Sequence, residues 1–170
     1  MKLILRYGTV LLLLISAHCT VLAQKPTTPL ELNDYFASIN DTLYQHGVAW
    51  GGKLNSIFKA KTFDSLAPYR RRLEVFIETK QAELSKMKDI KGSENFRQAM
   101  LSFLAFEKKM IMEGFAPLEK FDSSSKDADV QAAIDHLTTL ASSEKAKLTE
   151  VNTAQTAYAK ANGFTIEEEE

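Results

Sequence analysis

The sequence contains little of what disulfide-bonded, metal-binding or catalytic proteins rely on. Its 170 residues include one cysteine, Cys19, and three histidines. A single cysteine allows no disulfide within the chain and no cysteine-ligated metal centre. Glycine and proline are also scarce, at seven and four residues, so few positions interrupt a helix.

Motifs that would define a reaction or a cofactor site are missing as well. No Glu-x-x-His pair of di-metal bundles, no Cys-x-x-Cys-His haem attachment site and no glycine-rich phosphate loop occur in the chain. We therefore predict no catalytic residue, no metal ligand and no cofactor, and we expect that the protein is not an enzyme. The net charge of −1 gives no general attraction to phosphate backbones, so nucleic acid is not expected as a partner.

The first two dozen residues have the three parts of a secretory signal peptide. Lys2 and Arg6 give a positive start, residues 10–15 are an unbroken apolar run, and the sequence Val-Leu-Ala ends at Ala23 before Gln24. The apolar part of roughly ten residues is too short to span a bilayer, which needs about twenty. We predict cleavage between Ala23 and Gln24, hence a signal peptide over 1–23 and an extracytoplasmic location in the periplasm or at the cell surface.

Cys19 leaves an alternative open, because a cysteine after the apolar run of a signal can be lipidated. The residues before it, His18 and Ser16, suit a lipidation motif poorly. Lipidation would place the domain on a membrane with the following residues as its tether. Cleavage after Ala23 would instead remove Cys19 together with two basic residues and no acid, leaving a cysteine-free chain of net charge −3.

The remainder of the chain predicts an all-α fold. After a short tether over 24–29, apolar residues recur at helical spacing, and they divide into four segments over 30–61, 64–88, 94–120 and 127–161. Short connections favour an up-down-up-down antiparallel four-helix bundle over 30–163. Ser93 is expected to cap the third helix, Asn162-Gly163 to end the fourth, and 164–170 to form an acidic tail with no transmembrane segment elsewhere.

One place in the predicted bundle suggests a pocket. His46 and Trp50 lie one turn apart on the first helix, with Gly47, Gly51 and Gly52 around them. Glycines inside a helix let a ligand or a neighbouring helix approach closely, and His46 would supply a ligating or proton-transfer group. The other interpretation is that Trp50 is a core residue, that His46 lies at its rim and that the glycines make room for the indole.

Three stretches carry a likeness to known proteins. They are KDIKGSENFR over 88–97, AMLSF over 99–103 and AYAKANGF over 157–164, together with the Leu-Ala-Gln end of the signal. In these the chain resembles an uncharacterised bacterial surface-protein family of spirochaetes and Bacteroidota, whose members pair a signal peptide with a four-helix domain. The resemblance implies location and fold; it carries no functional residues.

Two hypotheses for function follow from these observations. The first is an exported, non-enzymatic envelope or surface protein, in which the bundle is a structural or interaction module with an envelope protein or a glycan as partner. The alternative is a periplasmic bundle that binds haem or another small molecule near His46 and Trp50. The sequence gives no oligomeric state.

Overall fold

The computed structural model describes residues 25–166 of the chain. The predicted signal peptide, its cleavage site, Cys19 and the glutamates of 167–170 lie outside the described residues. Within 25–166 the structure has only helices, turns and loops and contains no strand. The predicted all-α class is therefore confirmed.

The first helix begins with a complete capping box. Helix α1 is Pro29–Ile57. The Thr28 hydroxyl accepts from the Glu31 backbone N–H at 3.3 Å, and the Glu31 carboxylate accepts from the Thr28 N–H at 3.1 Å and the Thr27 N–H at 2.8 Å. These bonds satisfy N–H groups that no helical carbonyl can reach. The end of the predicted tether is thus fixed to the helix it precedes.

The second predicted segment starts as a tighter helix and ends early. A 3₁₀ turn, Phe63–Leu66, leads into α2, Ala67–Ser85, which has a proline in its first turn. The connection to the next helix is tied by Ser93, whose hydroxyl accepts from the Ile90 N–H at 2.9 Å. Ser93 occupies the N-cap position of the third helix as predicted, but it has helical dihedral angles and its side chain makes no capping bond. Its hydroxyl is engaged with the turn instead.

The third segment is one continuous helical path with an insertion near its end. Helix α3, Glu94–Met110, continues through a π-helical turn, Ile111–Phe115, into the short α4, Ala116–Leu118. Gly114 in the π turn is buried, and a Cβ atom there would lie 2.8 Å from Leu137 Cδ1. The glycine therefore lets the π turn approach the fourth segment closely.

The fourth segment is two helices rather than one. Helix α5, Asp127–Ser142, and helix α6, Glu144–Asn162, are separated at Ser143. The Ser143 N–H bonds to Leu140 O at 2.9 Å in a three-residue turn, and the Ser142 hydroxyl donates to Thr139 O at 2.7 Å. Serines compete for backbone groups in this way and weaken a helix. Gly163, with φ of +73°, ends α6 as predicted.

The long helices share one core in which α1 packs on α2, α2 on α3, α3 on α6 and α6 on α1. Buried apolar side chains from each of them form this core. Members with little or no exposed surface include Leu32, Phe36, Ile39, Leu66, Ile77, Leu84, Phe96, Met100, Leu104 and Val151. One end of this core, where α1 begins and α2 ends, carries the site described next.

Candidate functional site

A groove opens between the segment that precedes α1, the start of α1 and the end of α2. Its volume is about 750 Å³, within the usual range of roughly 300–1,000 Å³ for small-molecule sites. We define the groove by three groups of lining side chains. The basic group is Lys25, Lys86 and Lys88; the apolar group is Pro26, Ala82, Met87 and Ile90; the remaining group is Tyr35, Thr79 and Glu83.

The wall of the groove beyond α2 is held by helices from the other side of the bundle. Arg97 of α3 donates from Nη1 to Leu84 O at 3.2 Å and to Met87 O at 3.0 Å. The Tyr158 hydroxyl of α6 donates to Ile90 O at 2.7 Å. Carbonyls at the end of a helix otherwise lack partners. These bonds satisfy several of them and fix the turn that carries Met87 and Ile90.

The polar side chains within the groove are engaged with one another. The Tyr35 hydroxyl donates to Glu83 Oε2 at 2.5 Å, and Lys80 Nζ bonds to the same oxygen at 2.8 Å and to the Tyr35 hydroxyl at 3.2 Å. Burial, and then the bond to Glu83, raise the pKa of Tyr35 above its usual value. Hydrogen bonds from Lys80 and Tyr35 lower the pKa of Glu83. Near neutral pH this set therefore holds a neutral phenol and an ionised carboxylate that Lys80 balances.

The lysines of the groove are not balanced in this way. Lys25, Lys86 and Lys88 are exposed, and among the ion pairs formed within 25–166 none involves them. The single carboxylate lining the groove, Glu83, is already paired with Lys80. The groove thus presents three positive charges beside an apolar surface.

His46 and Trp50 lie away from the groove and contact different helices. Trp50 is 3% exposed, and its ring stacks on Phe115 of the π turn with centroids 3.8 Å apart. His46 is half-buried with its ring edge-on to Phe76 of α2 at 5.8 Å. The structure therefore places the indole in the core and brings no second ligating residue to His46 among the described contacts.

The three glycines near His46 and Trp50 do not mark a close approach. A Cβ atom added to Gly47, Gly51 or Gly52 would meet nothing within 4 Å. No side chain of a neighbouring helix fills the space beside them, so they do not serve close helix packing. That they let a ligand approach stays a prediction. The close approach occurs at Gly114 instead, which the sequence pattern did not single out.

A second unusual site is a buried carboxyl group on α3. Burial raises the pKa of Glu107 to about 8, and repulsion from Glu144 at the start of α6 adds to the effect. Its Oε1 atom is inaccessible and has no hydrogen-bond partner within 25–166. Burial also raises the pKa of Glu144. Nothing in the sequence indicated this pair, because it depends on a helix starting at Glu144.

Two general features bear on the kind of site these residues can form. Among the described residues no three His, Cys, Asp or Glu side chains come close enough together to hold a metal ion. No helix within 25–166 has the length and apolarity needed to cross a bilayer.

Comparison with known proteins gives no match to a family, to a curated protein or to a solved structure. Function has to be inferred from the residues of the groove themselves.

Proposed function

We propose that this chain is an exported, non-enzymatic envelope protein whose helices form an interaction module acting through the groove. The observation that carries the proposal is the set of unpaired lysines, Lys25, Lys86 and Lys88, beside an open apolar surface. None of the three forms an ion pair within 25–166, so their ammonium groups are available to a partner. Export is supported by the signal-like residues 1–23.

The order of contacts along the helices supports the up-down-up-down bundle. Tyr35 meets Glu83 while the later His46 meets the earlier Phe76, so α1 and α2 run in opposite directions. Helix α3 likewise runs opposite to α2, because Arg97 contacts Leu84 and the later Lys108 contacts the earlier Glu78. It runs opposite to α6, because Phe96 contacts Tyr158 and the later Ser102 contacts the earlier Lys147.

The chemistry of the groove favours binding over proton transfer. A general base needs a pKa near the working pH and a free lone pair. Tyr35 has its pKa raised, and Glu83 has its pKa lowered and accepts from two donors. Neither group is poised to exchange a proton at neutral pH, which agrees with the absence of catalytic motifs in the sequence.

Site-specific crosslinking in cells tests the proposed function. The photoreactive residue p-benzoylphenylalanine would replace Ala82, which is exposed in the groove, and in a matched control Ala146, which is exposed on α6. We expect a discrete adduct from position 82 and none from position 146. Equal adducts from both positions, or none from either, would contradict a groove-based interaction. Mass spectrometry of the purified chain tests export separately, with an expected start at Gln24.

A further inference from the structure

We infer that the groove binds an amphipathic anion, with an anionic head on its lysines and a chain of medium length on its apolar side chains. The head is a carboxylate or a phosphate, which the three lysine ammonium groups recognise as point charges. The chain lies along Pro26, Met87 and Ile90. This inference rests on the proposed function, because it names the ligand class of the same site.

The charge of the groove selects an anion. Lys25, Lys86 and Lys88 face it unpaired, whereas the lining carboxylate of Glu83 is held by Lys80. The end of α2 also lies here, and the carbonyls at a helix end carry a partial negative charge that would oppose an anion. Arg97, itself paired with Glu94, donates to two carbonyls at this end, so these two acceptors are satisfied by hydrogen bonds.

The other lining groups select an apolar chain over a peptide or a glycan. Peptides and sugars need many hydrogen-bond partners when they leave water. Within the described groove the Tyr35 hydroxyl donates to Glu83, and the Thr79 hydroxyl donates to Val75 O at 2.7 Å. The lysines are then the main free donors, and the half-buried Met87 and Ile90 supply the remaining contact surface. A ligand with one charged head and one apolar chain fits these lysines and apolar side chains.

The direct test compares ligands that share a chain and differ in the head. Isothermal titration of residues 24–170 would use decanoate, decyl phosphate and decyltrimethylammonium, each below its micelle concentration. We expect saturable 1:1 binding of one or both anions and at least roughly tenfold weaker binding of the cation, since like charges oppose it. The two anions distinguish a carboxylate head from a phosphate head.

Variants assign the binding to the groove. The double substitution Lys86→Gln and Lys88→Gln should weaken binding of the anion by roughly tenfold, with a smaller effect at high salt. Lys145→Gln, an exposed lysine of α6, is the matched control and should bind as the parent chain does.

Three results would overturn the inference. Equal binding of the cation would show that charge plays no part, and unchanged binding by the double lysine variant would place the site elsewhere. Binding of tetraglutamate without binding of either decyl anion would assign the groove to an acidic peptide, such as the chain's own residues 167–170. In that last case the crosslink at position 82 could still form, so failure of the ligand class is distinguishable from failure of the proposed function.

Discussion

Two carboxylates on long helices of the same core, exposed Glu83 at the groove and partly buried Glu107, have opposite environments. At the groove, Glu83 accepts from Tyr35 and Lys80, and its pKa is lowered. Glu107 has one oxygen that is inaccessible and lacks a partner within 25–166, and its pKa is raised to about 8. Both are glutamates on long helices of the same core. The opposite shifts of their pKa values therefore come from their environments alone.

This difference indicates where the fold is organised for stability and where it is not. Around Glu83 the Tyr35 hydroxyl and the Lys80 ammonium group satisfy the carboxylate, and the three lysines of the groove form no ion pair within 25–166. At Glu107 a carboxyl group that prefers water has one oxygen held in the interior without a partner among the described residues. A binding site at the first location and a pH-dependent weak point at the second are the consequences.

The largest effect is expected from breaking the groove wall at Arg97. Arg97→Gln removes the guanidinium that donates to Leu84 O and Met87 O. Hydrogen bonds to charged groups contribute about 1.5–3 kcal/mol each, so we expect the loss of both to lower the free energy of unfolding by roughly 3–6 kcal/mol. Denaturant titration measures it.

Arg71→Gln is the matched control for this experiment, because Arg71 is exposed on α2. It should change the free energy of unfolding by no more than about 0.5 kcal/mol. If Arg97→Gln behaved like the control, the bonds from α3 would not hold the turn that carries Met87 and Ile90, and the contrast between the two regions would lose its basis.

A smaller effect of opposite sign is expected at the other region. Burial disfavours ionisation of the Glu107 carboxyl group. Glu107→Gln replaces this group with a neutral amide of the same shape. At pH 9 we expect the variant to be more stable than the parent chain by roughly 1–3 kcal/mol, the cost of an unsatisfied buried polar group. At pH 4 the two should be similar. Glu113→Gln, on the exposed side of the π turn, should have no such effect; a destabilised Glu107→Gln at pH 9 would contradict this account.

The parent chain itself should lose stability as pH rises from about 4.5 to 8. The pKa of Glu107 is about 8 when folded, against an ordinary 4.5. The folded state therefore holds the proton on Glu107 more tightly than the unfolded state does. The stability gained from this proton is complete below pH 4.5 and is lost as the pH rises to 8. Carboxylates with lowered pKa, such as Glu83 and Asp127, act in the opposite direction, but below this window. Melting temperatures across pH 4.5–9 measure the slope, which Glu107→Gln should flatten.

Helical periodicity predicted the class and the approximate helical segments because apolar side chains facing one core leave a direct trace in the sequence. It could not predict that Ser143 divides the last helix or that a π turn follows Met110, since both depend on local hydrogen bonds rather than on apolar spacing. Ser93 shows the same limit: its residue type suits a cap, yet the turn before it takes the hydroxyl.

The groove was predictable only in part. The alternation of lysine with Met87 and Ile90 after α2 is visible in the sequence, and it marks one wall of the site. Tyr35 and Lys25 come from a part of the chain about fifty residues earlier, and only the packing of α1 on α2 brings them there. His46 and Trp50 drew attention by residue type, whereas the structure gives them aromatic partners on two different helices.

The smallest predicted effect concerns the bond that keeps Glu83 satisfied. Tyr35→Phe removes the hydroxyl that donates to Glu83 and leaves the ring in place, so we expect a loss of about 1 kcal/mol in the free energy of unfolding. The pKa of Glu83 should rise, since one of the two hydrogen bonds that lower it is lost. Carbon-detected NMR titration of the side-chain carboxyl measures that shift. Tyr44→Phe is the control, because Tyr44 is 73% exposed and should change neither quantity. An unchanged pKa of Glu83 in Tyr35→Phe would mean that Lys80 alone balances the carboxylate, and the contrast with Glu107 would then depend on a single ion pair.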